Sequence, residues 1–119
     1  MGFMRHNAII VSSGYGDSLD TAHTHAKSLA MTVTDIVESP TNGVRTFLVA
    51  PDGSKEHWEA SENGDARRAS FIQWMTARRY VDGSSPLDWV EVQYGDDNGE
   101  TLVKAHSDEE ARYVPGLLV

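Results

Sequence analysis

Arg67 and Arg68 stand side by side at the end of APDGSKEHWEASENGDARR, residues 50–68. If a helix starts near Asp65, both guanidinium groups fall in its first turn, where the macrodipole disfavours cations. That placement calls for a carboxylate or an anionic ligand as partner. A second candidate is SSGYGDSL, residues 12–19, which links an aliphatic run to a helical pattern. Backbone amides bind phosphate in that context, and Ser12, Ser13 and Tyr15 supply hydroxyl donors around the Gly14-Tyr15-Gly16 loop. The dinucleotide fingerprint is incomplete: Leu19 occupies the third glycine position, no P-loop lysine follows, and Asp17 repels an anion. Ser12, Ser13, Tyr15, Arg67 and Arg68 thus form the candidate ligand set of a domain that binds or hydrolyses a nucleotide or small molecule.

Other chemistries find less support. His23 and His25 are two positions apart, so on a helix they point roughly 200° from each other and do not chelate one ion, unlike an i, i+4 pair. Asp96, Asp97 and Glu100 surround a hairpin tip without the alternating oxygen spacing of a calcium loop, and a polar turn explains them. No G-x-S-x-G elbow is present, and the chain has no cysteine to act as nucleophile or zinc ligand. No metal site and no cofactor are expected. What survives is a contact surface. Trp58, Trp74, Trp89, Tyr80 and Tyr94 are a large aromatic supply for 119 residues, and such rings bury area while keeping a polar handle. Trp58, Trp89 and Tyr94 are the expected partner contacts.

The elements that must position these residues follow from pattern. Residues 7–13, NAIIVSS, read as a buried strand ended by Gly14 and Gly16. DSLDTAHTHAKSLAM repeats Leu19, Ala22, Ala26, Leu29 and Ala30 at helical steps, with Asp17 as N-cap. TVTDIVES and VRTFLVA flank Asn42-Gly43, the strongest short hairpin signal. Pro51-Asp52-Gly53 turns the chain towards a helix from about Asp65 to Tyr80, with Phe71, Ile72 and Met75 on one face and Trp74 on its flank. LDWVEVQY and ETLVKAH form a second hairpin across GDDNG, and the tail before Pro115 has room for a helical turn. The expected fold is a single α+β domain over residues 1–119. Its order is βαββαββ, with a five-stranded, mainly antiparallel sheet and both helices on one face.

Composition agrees with one core, at 39% apolar residues, and with a reducing, cytoplasmic setting in the absence of cysteine. No apolar run approaches the roughly 20 residues of a membrane span, and the first residues do not read as a signal peptide. A formal charge of −8, from 18 acidic against 10 basic side chains, disfavours a nucleic-acid reader.

MRHNAIIVSS, TNGVRTFLVAPDGSKEHW and DGSSPLDWVEVQYGDDNGE together resemble a family of small uncharacterised proteins encoded by tailed bacteriophages and prophages, from residue 5 to about residue 110. The resemblance implies an accessory protein with a binding role in the host cytoplasm, towards a host protein or a signalling molecule, and assigns no residue. With no catalytic motif in the chain, a non-enzymatic binding module for a host protein is the expected function, beside the nucleotide or small-molecule domain above. The FLVA and WVEV segments offer apolar faces that two short helices do not fully cover, so a homodimer through the sheet is also expected, with Trp89 at the contact.

Overall fold

The computed structural model describes residues 2–14 and 16–108. The Tyr15 hydroxyl and the helical turn expected before Pro115 lie outside the described residues. The elements are β1 (His6–Ser13), α1 (Ser18–Ser28), β2 (Val37–Glu38), β3 (Arg45–Val49), α2 (Glu59–Thr76), β4 (Asp88–Tyr94) and β5 (Leu102–His106). They form a five-stranded sheet in the order β2-β3-β1-β4-β5, antiparallel at every pairing. The expected α+β fold is the one observed.

The most apolar strand sits at the centre. Ile9 and Val11 of β1 are fully buried, and they meet Val49 and Phe47 on β3 and Glu91 and Trp89 on β4. Both helices close over this face, joining Leu19, Ala22 and Ala26 of α1 and Phe71 and Met75 of α2 to one core. The two alanines let α1 approach the sheet closely, and Phe47 reaches Phe71 across the layers at 6.4 Å between ring centroids.

Turn chemistry is met where the residues demand it. Asn42 and Gly43 have φ of 60° and 64°, the pair of left-handed residues that a tight hairpin of matching twist needs. Asp52-Gly53-Ser54 and Asp82-Gly83-Ser84 repeat one device: the aspartate Oδ1 accepts both the backbone N–H and the hydroxyl of the serine two residues on.

Four details differ from the sequence reading. Helix α2 begins at Glu59, not near Asp65, so Asn63-Gly64 is helix interior. A helical glycine costs roughly 1 kcal/mol against alanine. Here it makes room for Asp52: a Cβ at Gly64 would stand 2.3 Å from Asp52 Oδ2, and the carboxylate would have to shift. The helix also stops at Thr76, short of Tyr80. Asp17 precedes α1 but its side chain makes no capping hydrogen bond. Finally, β2 shrinks to Val37–Glu38, because the approach to it pairs irregularly: Thr34 Oγ1 accepts the Leu48 N–H in place of a backbone carbonyl.

Trp89 is 7% exposed and belongs to the core, whereas the sequence reading set it at an outer contact. Trp89→Ala should therefore destabilise the fold by about 3–5 kcal/mol, the usual cost of emptying a large aromatic site. Urea denaturation followed by circular dichroism measures this, and a loss under about 1 kcal/mol would return the ring to the surface.

Candidate functional site

Side chains of a strand alternate between faces, so the residues opposite the core fall on one surface. In β1 these are His6, Ala8, Ile10 and Ser12; their partners are Tyr94, Val92, Val90 and Asp88 on β4. Leu48 and Thr46 continue the surface across β3, Val37 across β2, and Val103 and His106 across β5. No helix among the described residues covers it. Ile10, Tyr94, Val103 and Val37 are 40%, 39%, 55% and 65% exposed.

This face is apolar at its centre and polar at its rim. Ser12 Oγ and Thr46 Oγ1 hydrogen-bond to each other at 2.7 Å, which uses one of their two O–H donors. A shallow hollow of about 500 Å³ lies among Ile10, Ser12, Asp88, Val90, Val103 and His106. At the opposite corner the His6 ring tilts against Tyr94 at 5.2 Å, held from behind by Gly95, where any Cβ would come within 2.5 Å of the imidazole. Of the strand positions paired on this face only Asp88 carries a full charge, although 24% of the chain is charged.

The ligand set read from the sequence does not assemble. Ser12 points to the open face and Ser13 to the helix side, where its hydroxyl donates to the Pro86 carbonyl at 2.7 Å. Ser12 borders the hollow of the open face, while Arg67 and Arg68 border a separate space of about 70 Å³ beside Asp52 and Gly64. With α2 starting at Glu59, the two arginines are in its third turn, so the conflict with the dipole disappears. Arg67 is exposed. Arg68 is buried, and its partners are protein carboxylates: Asp65 by a short hydrogen bond, and Glu91 with Nε to Oε2 at 3.5 Å. Asp52 faces both arginines; burial opposes its ionisation, but two hydrogen bonds from Ser54 and the arginine charges outweigh that and keep its pKa below the usual value.

The aromatic contacts are likewise dispersed. Trp58 is the N-cap residue of α2 and 48% exposed, Tyr94 lies on the open face, and Trp89 is beneath the helices. Of the expected trio, Tyr94 stands on the surface described here, while Trp89, 7% exposed, borders its hollow with the ring committed to the core. The histidines serve separate ring contacts: His23 against Phe47, His25 stacked on Trp74 at 4.4 Å, and His57 against Phe3. Among the described residues no group of three or more His, Asp or Glu side chains converges as metal ligands would.

The carboxylates of the β4–β5 turn are structural. Asp96 accepts the Asn98 N–H at 2.6 Å and the Arg5 Nε–H at 2.7 Å, while Asp97 accepts the Met4 N–H. They tie the chain's N-terminal segment to the hairpin.

What sequence reasoning missed is the composition of the open face: Ile10, Val90, Val92 and Val103 are turned outward while Glu91 is turned inward. The strict alternation of LDWVEVQY held that signal, but only with the register known. No helix among the described residues is long and apolar enough to cross a membrane. No family model, no curated protein and no solved structure matches the chain.

The Asp96 tie makes stability depend on pH. The Asn98 N–H first, and then Arg5, hold its pKa below the ordinary value, so its contribution is complete above the ordinary carboxylate range and is lost as pH falls through the folded value. Asp96→Asn keeps an acceptor for Asn98 but loses the Arg5 ion pair. The variant should melt below the wild type at pH 7, with the gap closing towards about pH 3. Thermal denaturation at both pH values checks this, and a gap independent of pH would contradict the assignment.

Proposed function

We propose that the protein is a non-enzymatic binding module whose working surface is the uncovered face of the sheet. The observation that carries this reading is the register of β4, which places Val90, Val92 and Tyr94 on the solvent side and Glu91 on the covered side. Slipping that strand by one residue would reverse the pattern, so an apolar outer face is what the native pairing maintains. A contiguous apolar surface rimmed by polar groups is characteristic of protein contacts.

The surface fits a second copy of the chain. Molecules with a charge of −8 repel one another at long range, and they can meet only through a patch that adds little charge to the contact. Asp88 at the rim leaves the centre neutral, and two such faces stack in an isologous pair with their valine and isoleucine side chains interleaved. The same neutrality argues against an oppositely charged partner steered by electrostatics. In a phage-encoded setting, as the family resemblance implies, a host protein in the cytoplasm would compete for this face.

Sedimentation equilibrium should give a mass near twice 13.1 kDa at concentrations on the order of tens of micromolar. Val103→Glu, at an exposed position of edge strand β5, should yield a monomer with an unchanged far-ultraviolet circular dichroism spectrum. A wild-type protein that stays monomeric at those concentrations would remove the second copy as occupant of the face.

A further inference from the structure

On the helix side of the sheet, α2 and the β4–β5 hairpin enclose a cleft of about 320 Å³. One wall is apolar, made by Ala69, Ile72 and Ala105, and the remainder carries Glu91, Lys104, Asp65 and Gln73. The volume is at the lower end for small-molecule sites, and a few polar groups converging on an apolar cavity are the usual form of such a site. It shares no residue with the open face.

Two independent features mark the cleft as built. The first is the state of Glu91, whose side chain is 5% exposed and whose nearest cation, Arg68, stands 3.5 Å away without forming a hydrogen bond. Arg68 Nε is a buried donor with no acceptor in bonding geometry, while the Glu91 carboxylate, with room for about four donors, lines the cleft and has only the Arg68 ion pair at 3.5 Å among the described residues. Buried polar groups are normally paired, so the orphaned Arg68 Nε marks a strained spot, and the acceptor capacity of Glu91 is open to a group in the cleft. The second is a β-bulge. Glu91 pairs with Ala105 and Val92 with Val103, so Lys104 is the extra residue of β5 and is set beside Glu91 at the cleft. Bulges re-aim side chains in this way beside functional sites. Among the described residues no carboxylate lies within ion-pair distance of Lys104, the first-named charge acting on Glu91.

We propose that this cleft binds a small zwitterion of the class of free α-amino acids with an apolar side chain. The ligand ammonium donates to the Glu91 carboxylate, the ligand carboxylate meets Lys104, and the side chain lies on Ala69, Ile72 and Ala105. The charges decide against simpler ligands. Asp65, Glu91 and Lys104 line the cleft and Arg68 stands behind the two carboxylates, so a phosphate is repelled by both carboxylates and a bare cation meets the Lys104 ammonium. A ligand carrying both signs is opposed by neither. Burial raises the Glu91 pKa, with Lys104 and Arg68 opposing the shift, and an ammonium against it favours the ionised form. Binding therefore tightens as pH rises through the range in which Glu91 ionises.

The test is a titration of the ¹⁵N-labelled chain with L-alanine, L-valine, L-leucine and L-phenylalanine, alongside n-butylamine and isovalerate as probes lacking one charge. Saturable shifts at the amides of Ile72, Glu91, Lys104 and Ala105 are expected for at least one amino acid, with a dissociation constant on the order of 1 mM or lower. Lys104→Met, at an exposed position, should weaken that binding at least tenfold, and Lys104→Arg should restore most of it. Glu91→Gln should weaken it and remove its pH dependence. Failure of all four amino acids to saturate these amides by about 20 mM, given that range of affinity, overturns the proposal. So does equal binding by butylamine or isovalerate, or unchanged affinity in Lys104→Met.

Discussion

Turning Trp89 towards the helices buries the largest side chain of β4, and the alternation of a strand then fixes the direction of every residue that follows. Glu91 goes inward with it, while Val90 and Val92 go outward. A one-residue slip would put the valines under α2 and the indole and carboxylate in water, which looks favourable for β4 alone. The whole sheet opposes it. Val11, already buried against Phe47, meets Trp89 across the β1–β4 ladder, and Leu87 enters the same core one step before the strand begins. The arrangement thus places a carboxylate in the interior and aliphatic groups on the surface, and both need a physical answer.

The interior answer is Arg68. Its long side chain crosses from α2 to the sheet, and its position near the middle of the helix is held by Gly64, one turn earlier, which admits Asp52 against the helix backbone. Arg68 then has carboxylates on several sides: Asp65 on its own helix, Glu91 on β4, and Asp52 close enough to feel its charge. Such a buried group is poor evidence for stability, since desolvation offsets most of the Coulomb attraction. It gives α2 a fixed station over the sheet. Deleting one member would leave the others uncompensated in a desolvated place, a larger loss than the net contribution of the pair.

Local signals made the fold legible. Asn42-Gly43 announced its hairpin, the aliphatic run of residues 8–11 announced the central strand, and the spacing of Leu19, Ala22 and Ala26 announced the buried stripe of α1. Legibility ended where a tertiary contact overrode the local preference. Asn63-Gly64 reads as a turn because glycine is a poor helix former, yet it lies inside α2, where the missing Cβ leaves room for the Asp52 carboxylate. The error displaced the helix start, and with it Arg67 and Arg68 were given a false conflict with the dipole. Trp89 was legible as an important ring, but its side of the sheet depended on register. Asp17 stands at the N-cap position of α1 as its residue type suggests, but its side chain makes no capping hydrogen bond, while Asp20, expected only to favour the dipole, binds Arg45 at 2.7 Å.

The two surfaces left by this fold differ in kind. On the open face the sheet presents aliphatic side chains with few polar groups between them, and Ser12 and Thr46 bond to each other, so contact there mainly removes apolar area from water. In the cleft beneath α2 the apolar wall is small, and charge dominates: the Glu91 carboxylate lies between Arg68, 3.5 Å away, and the Lys104 ammonium on the same lining. The first surface favours a broad, shape-matched partner, and the second a compact ligand with matched charges. Since β4 contributes Val90 and Val92 to one and Glu91 to the other, a displacement of this strand acts on both, and the bulge between Glu91 and Val92 is the point in the ladder where they are joined.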